Sequence, residues 1–172
     1  MPRSKTSLAA GILILGMTAL FLPIGVDLAL DAFDPSRLDR ETYLSAVGFG
    51  LNQQETQTLL GLTAILILGL CALTTALGIG VLGRREGVRH AAIGTFVVFA
   101  AVTFALSAAE LFSEEVAPSV AIALVIGAVD AAIVYLLLHP RTGADFERAE
   151  SARERVRGAR ASERIVRRAS RA

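Results

Sequence analysis

The sequence predicts an all-α membrane protein: a bundle of four transmembrane helices followed by a charged, partly helical or disordered C-terminal tail. Two observations carry this reading. Apolar residues fall into four long blocks, and nearly all the charge falls between them. Of 172 residues 53% are hydrophobic, with a mean hydropathy of +0.58, which argues against an ordinary soluble domain. A helix needs about 20 apolar residues to cross a hydrocarbon core ~30 Å thick at ~1.5 Å per residue. Thr6 to Val26, Thr56 to Gly83 and Ala91 to Ala109 carry no charge, and Val116 to Pro140 carries only Asp130. The expected division is a membrane domain over residues 1–140, with spans at about 8–30, 57–83, 91–112 and 118–138, and an Arg-rich tail over 141–172.

The first span contains Pro23, which removes a backbone donor and frees the carbonyl of Ala19, so a bend is expected there. Arg3 and Lys5 before an apolar run resemble a signal peptide. The run is longer than a usual signal core, however, and no clear A-x-A site precedes Asp31, so the segment is expected to be retained. Asp34-Pro35 has the form of a cap on a short interfacial helix bearing Leu38, Tyr43 and Val47. The second span is expected to start outside the membrane, because Asn52-Gln53-Gln54-Glu55 has capping-box spacing.

Base distribution sets orientation, since basic loops are retained in the cytoplasm. Arg3 and Lys5 precede span one, Arg84, Arg85 and Arg89 join spans two and three, and ten arginines follow Pro140. The other two loops are acidic or poor in base. Both termini are therefore expected in the cytoplasm, in a multi-pass protein of the cell membrane. The lone Cys71 lies in a span and is read as a small apolar residue.

Small residues recur every four positions: Ala72, Ala76 and Gly80; Ala101, Ala105 and Ala109; Ala123, Gly127 and Ala131. Such stripes let helix backbones approach closely. Seams within the bundle are favoured over specific dimerisation.

Asp130 is the main candidate for chemistry. It falls near the middle of span four, where an ionised carboxylate is expensive, and no Lys or Arg lies in any span to pair with it. It is expected to be protonated, or to reach water or a hydroxyl, with Thr74 and Thr75 at similar depth on span two. Interhelical hydrogen bonding is favoured over a proton or cation site. Thr103, Ser107 and Glu110 share one helix face, giving a polar stripe toward the outer end of span three. Contact with headgroups and water is favoured over a vestibule. His90 and His139 lack the further ligands and supporting groups a metal would require.

In the tail, Glu150/Arg153, Glu154/Arg157 and Glu163/Arg167 have helical ion-pair spacing, beside a weak apolar line of Ala149, Ala152, Val156, Ala159 and Val166. Two readings stand: a helix lying on anionic headgroups or pairing with a partner, and a solvated segment that fixes topology. Nucleic acid is not expected, because no aromatics interleave with the arginines. No GxxxxGK[ST], HExxH, GxSxG or CxxC occurs, so no catalytic residue, cofactor or metal is assigned and no enzyme is expected.

The stretch Leu77-Gly78-Ile79-Gly80-Val81-Leu82-Gly83-Arg84-Arg85, continuing through Val88-Arg89-His90-Ala91-Ala92-Ile93-Gly94, resembles the hairpin of small four-span prokaryotic membrane proteins of unknown function. Val129-Asp130-Ala131-Ala132-Ile133-Val134-Tyr135-Leu136-Leu137 resembles their last span. The likeness covers roughly residues 8–140 and departs from those proteins in having no Trp in the Arg turn. It implies the four-span topology and no activity. The expected role is a non-enzymatic structural or accessory component in contact with the lipid bilayer, as a homo-oligomer or within a larger membrane complex. The alternative is a small transporter or channel subunit using Asp130.

Overall fold

The computed structural model describes residues 4–34, 52–111 and 119–169, with side chains through 108 in the second segment, from 120 and through 160 in the third. The described residues form five α-helices and no strand: α1 Lys5–Phe33, α2 Gln53–Leu82, α3 Glu86–Leu111, α4 Ser119–Leu138 and α5 Pro140–Ala169. The first four are long and apolar enough to cross a membrane. At 29 residues α1 is roughly 44 Å long, more than the hydrocarbon core requires. The chain is an all-α, multi-pass membrane protein. The expected interfacial helix after Asp34 lies outside the described residues.

Each helix end has a local cause. Ser4 is the N-cap of α1, its hydroxyl oxygen accepting from the Ser7 amide at 3.2 Å. The α2 start is a complete capping box. The Asn52 side-chain oxygen accepts from the Glu55 amide at 2.9 Å, and the Glu55 carboxylate accepts from the Asn52 amide at 2.8 Å. At the other end of α2, Arg84 N–H donates to the Val81 carbonyl (2.9 Å) and Arg85 N–H to that of Gly80 (3.2 Å). This pattern needs a left-handed residue, usually glycine, and here Arg84 adopts it with φ 55°. His139 separates α4 from α5, and Pro140 opens α5, where a missing N–H costs nothing.

Contacts divide the chain into two compact units, residues 14–76 and residues 1–13 with 77–172. In the 14–76 unit, α1 and α2 run antiparallel. Thr18 and Thr74 hydroxyls lie 2.8 Å apart, and a side chain at Gly25 would stand 3.0 Å from Ile67 and Leu68 atoms. The α1 helix continues through Pro23.

In the other unit α3 and α4 pack antiparallel. The buried line of α4 runs Val120, Gly127, Asp130, Ile133 and Leu137, and that of α3 runs Ala92, Phe96 and Ser107. Gly127 is buried because a Cβ there would stand 3.2 Å from the Phe104 ring. A Cβ on Gly80 would come within 2.5 Å of Val88, so that glycine lets the end of α2 close on the start of α3.

The remaining small residues behave otherwise than the four-residue stripes predict. Ala72, Ala76, Ala101, Ala105 and Ala131 are exposed and Ala123 is half-buried, while Gly80 and Gly127 are buried; Ala109 lies outside the described side chains. Steps of four advance about 40° around a helix, so a stripe leaves its seam within three steps. The buried line of α4 instead mixes steps of three and four, as a packed helix requires.

Candidate functional site

Among the described residues the densest polar network lies where Ser4, the Arg84–Arg89 turn and the first turns of α5 meet. At its centre is Asp145, whose side chain is 7% exposed. Its Oδ2 accepts from the Ser4 amide (3.1 Å) and the Ser7 hydroxyl (2.8 Å), and its Oδ1 accepts from Arg84 Nη1 (3.2 Å). The carboxylate thus caps the positive end of α1. Burial pushes Asp145 upward, but the Ser4 amide, the Ser7 hydroxyl and the Arg84 guanidinium outweigh it and hold the carboxyl below its ordinary value.

Two arginines serve the opposite helix ends. Arg89 Nε donates to the Leu137 carbonyl in the last turn of α4 (2.9 Å), and its Nη1 donates to Glu86 Oε1 (2.8 Å). Its guanidinium also lies 5.8 Å from the centre of the buried Phe146 ring. Arg153 Nη1 donates to the Arg84 carbonyl (3.0 Å) and Nη2 to that of Gly83. Cations therefore meet the negative ends of α2 and α4, and an anion meets the positive end of α1. Thr142 completes the join, with Oγ1 2.7 Å from the Leu136 carbonyl and 2.8 Å from Thr6 Oγ1. Gly143 permits the approach, since a Cβ there would stand 3.3 Å from Arg89.

Past Arg153 the described side chains of α5, through Arg160, are all exposed, including Val156. The Glu150–Arg153 pair forms at 3.5 Å. Beside it a cleft of about 320 Å³ is lined by Leu82, Gly83, Arg84, Arg148, Ala149, Ala152 and Arg153.

Of the hub residues, the sequence singles out Arg84 and Arg89 only for orientation and Arg153 only for its pairing with Glu150; Ser4, Ser7, Thr142, Asp145 and Phe146 are not singled out. A signal was present nonetheless: Thr142, Asp145, Phe146 and Arg153 share one helix face, and Phe146 is the only aromatic residue of the tail.

Asp130 is 2% exposed, and its Oδ1 has no hydrogen-bond partner among the described residues. It belongs to the unit containing α3 and α4, whereas Thr74 and Thr75 belong to the 14–76 unit. Both threonines bond their own helix, Thr74 to the Leu70 carbonyl (2.9 Å) and Thr75 to that of Cys71 (2.7 Å). Ser107 is buried and donates to the Thr103 carbonyl (2.8 Å). Glu110 lies outside the described side chains. Among the described residues no three His, Cys, Asp or Glu groups converge on a metal position.

Helix count, apolarity and the closed helix ends define the class, a four-helix multi-pass membrane protein with an attached polar helix. Comparison with protein-family models, curated proteins and solved structures gave no match.

Proposed function

We propose that this protein is a non-enzymatic accessory or structural component of the cell membrane, or of a complex within it, that holds a charged helix at the cytoplasmic surface. The observation that carries this is the attachment of α5: Asp145, Thr142, Phe146 and Arg153 fasten its first four turns, while residues 154–160 remain exposed. A solvated tail serving only to fix topology gains nothing from such fastening. The same contacts bring Ser4, the Arg84–Arg89 turn and the start of α5 together, and their positive charge supports placing them on the cytoplasmic side. Only 17% to 33% of the most apolar stretch of each spanning helix is buried within the chain, leaving wide faces for lipid, a second copy or a larger complex.

The test is native electrophoresis of gently solubilised membranes. The protein is expected to migrate as an oligomer or complex that loses partners when Asp145→Ala releases α5. Monomeric migration, unchanged by that substitution, would overturn the reading.

A second reading, a small transporter or channel subunit, is favoured by the buried, unpartnered Oδ1 of Asp130. Proton or cation flux into proteoliposomes that Asp130→Asn abolishes would establish it.

A further inference from the structure

The cleft between the end of α2 and α5 has two unlike walls. Leu82, Ala149 and Ala152 are apolar, and Arg84, Arg148 and Arg153 carry positive charge. Two of these arginines are engaged: Arg84 with Asp145, and Arg153 with two carbonyls and Glu150. Arg148 makes no hydrogen bond or ion pair among the described residues, so its five donors are available to a ligand. Leu82 is the last residue of a membrane-length apolar helix, which puts the cleft at the depth of lipid headgroups. Its volume of about 320 Å³ suits a headgroup rather than a whole lipid.

We infer that this cleft binds a phosphate group beside an apolar segment, with Arg148 as the principal contact and the remaining donors of Arg84 assisting. A guanidinium pairs with phosphate through two parallel N–H donors, and the apolar wall receives the adjoining carbon chain. An anionic phospholipid and a soluble phosphate monoester share this chemistry. The inference rests on α2 crossing the bilayer and on no other part of the proposed function.

The full chain in nanodiscs of phosphatidylcholine with phosphatidylglycerol, assayed by native mass spectrometry for retained lipid, tests it. Arg148→Gln is expected to weaken phosphatidylglycerol retention about fivefold, the effect of losing one base at a membrane surface. Arg157→Gln, an exposed arginine of α5 outside the cleft, should leave retention unchanged. A second arm titrates glycerol 1-phosphate into detergent-solubilised protein. Arg148-dependent binding there, without lipid retention, assigns the cleft to a soluble phosphate ester. Equal losses in both variants, or no Arg148 dependence in either arm, would overturn the site. Failure to enter nanodiscs at all would instead count against the spans.

Discussion

Ser7 on α1 donates its hydroxyl to the carboxylate of Asp145 on α5 at 2.8 Å, across 138 positions of sequence. That bond joins the first of the described helices to the last.

Asp145→Ala leaves the Ser4 amide without its acceptor and Arg84 without its counter-charge, while the Ser7 hydroxyl keeps only the Ser4 carbonyl as acceptor, at 3.1 Å. The loss is expected to be about 2–3 kcal/mol. Hydrogen exchange should rise in the first turns of α5 and at the start of α1, with α3 and α4 little changed. Unaltered protection in α5 would mean that these bonds do not hold it.

Asp145 titrates below its ordinary value of 3.8 in the folded state. The folded state therefore binds protons less readily than the unfolded one. The carboxylate's contribution is complete above 3.8 and is lost as pH falls through the lower folded value. Limited proteolysis of α5 should be flat from neutral pH down to the carboxylate range and accelerate only in stronger acid. In Asp145→Asn that acid step should disappear.

Arg84 carries two opposed effects, an ion pair with Asp145 and a left-handed backbone at φ 55°. Arg84→Ala loses the first and keeps the strain, whereas Arg84→Gly loses the first and relieves the second. The glycine variant is expected to be more stable than the alanine variant by about 1 kcal/mol in reversible unfolding. The opposite order would refute this account of the turn.

Gly80 and Gly69 lie on the same helix in different surroundings. A Cβ at Gly80 meets Val88 at 2.5 Å, and one at Gly69 meets nothing within 4 Å. Gly80→Ala is expected to cost about 1–3 kcal/mol because the stiff Val88 must move. Gly69→Ala should be neutral or slightly stabilising. Thermal melts of the two variants in one detergent decide the matter.

Asp130→Asn keeps the shape of the side chain and removes the ionisable group. If the protein is an accessory component, stability and oligomeric state should be preserved in this variant, while Asp130→Leu lowers stability by disturbing its buried surroundings. If Asp130 carries protons, flux is lost in both.

Features with local causes could be read from the sequence. The Asn52–Glu55 box needs partners only three residues apart, and the membrane-length helices need only a run of apolar residues. The Glu150–Arg153 pair was visible for the same reason. The Asp145 hub was not, because its partners Ser4 and Arg84 lie 141 and 61 positions away and no periodicity links them. Arg153 shows the difference within one residue. Its pairing with Glu150 follows from helical spacing, while its bonds to the Gly83 and Arg84 carbonyls depend on how two helix ends meet. The small-residue stripes held at Gly80 and Gly127, which lie at close helix approaches, and failed at the exposed alanines because steps of four drift off a face.

The closure of the helix ends also bears on the order of synthesis. The anion at the start of α1 and the guanidinium at the end of α2 both come from α5, which leaves the ribosome after all four spanning helices. Until residues 140–153 are made, Ser4 and the Gly83–Arg84 carbonyls must be satisfied by water or by the translocation machinery. The spanning helices can enter the bilayer one after another, but they are fastened only once α5 has been made. A nascent chain stalled just after α4 would be inserted yet unlatched.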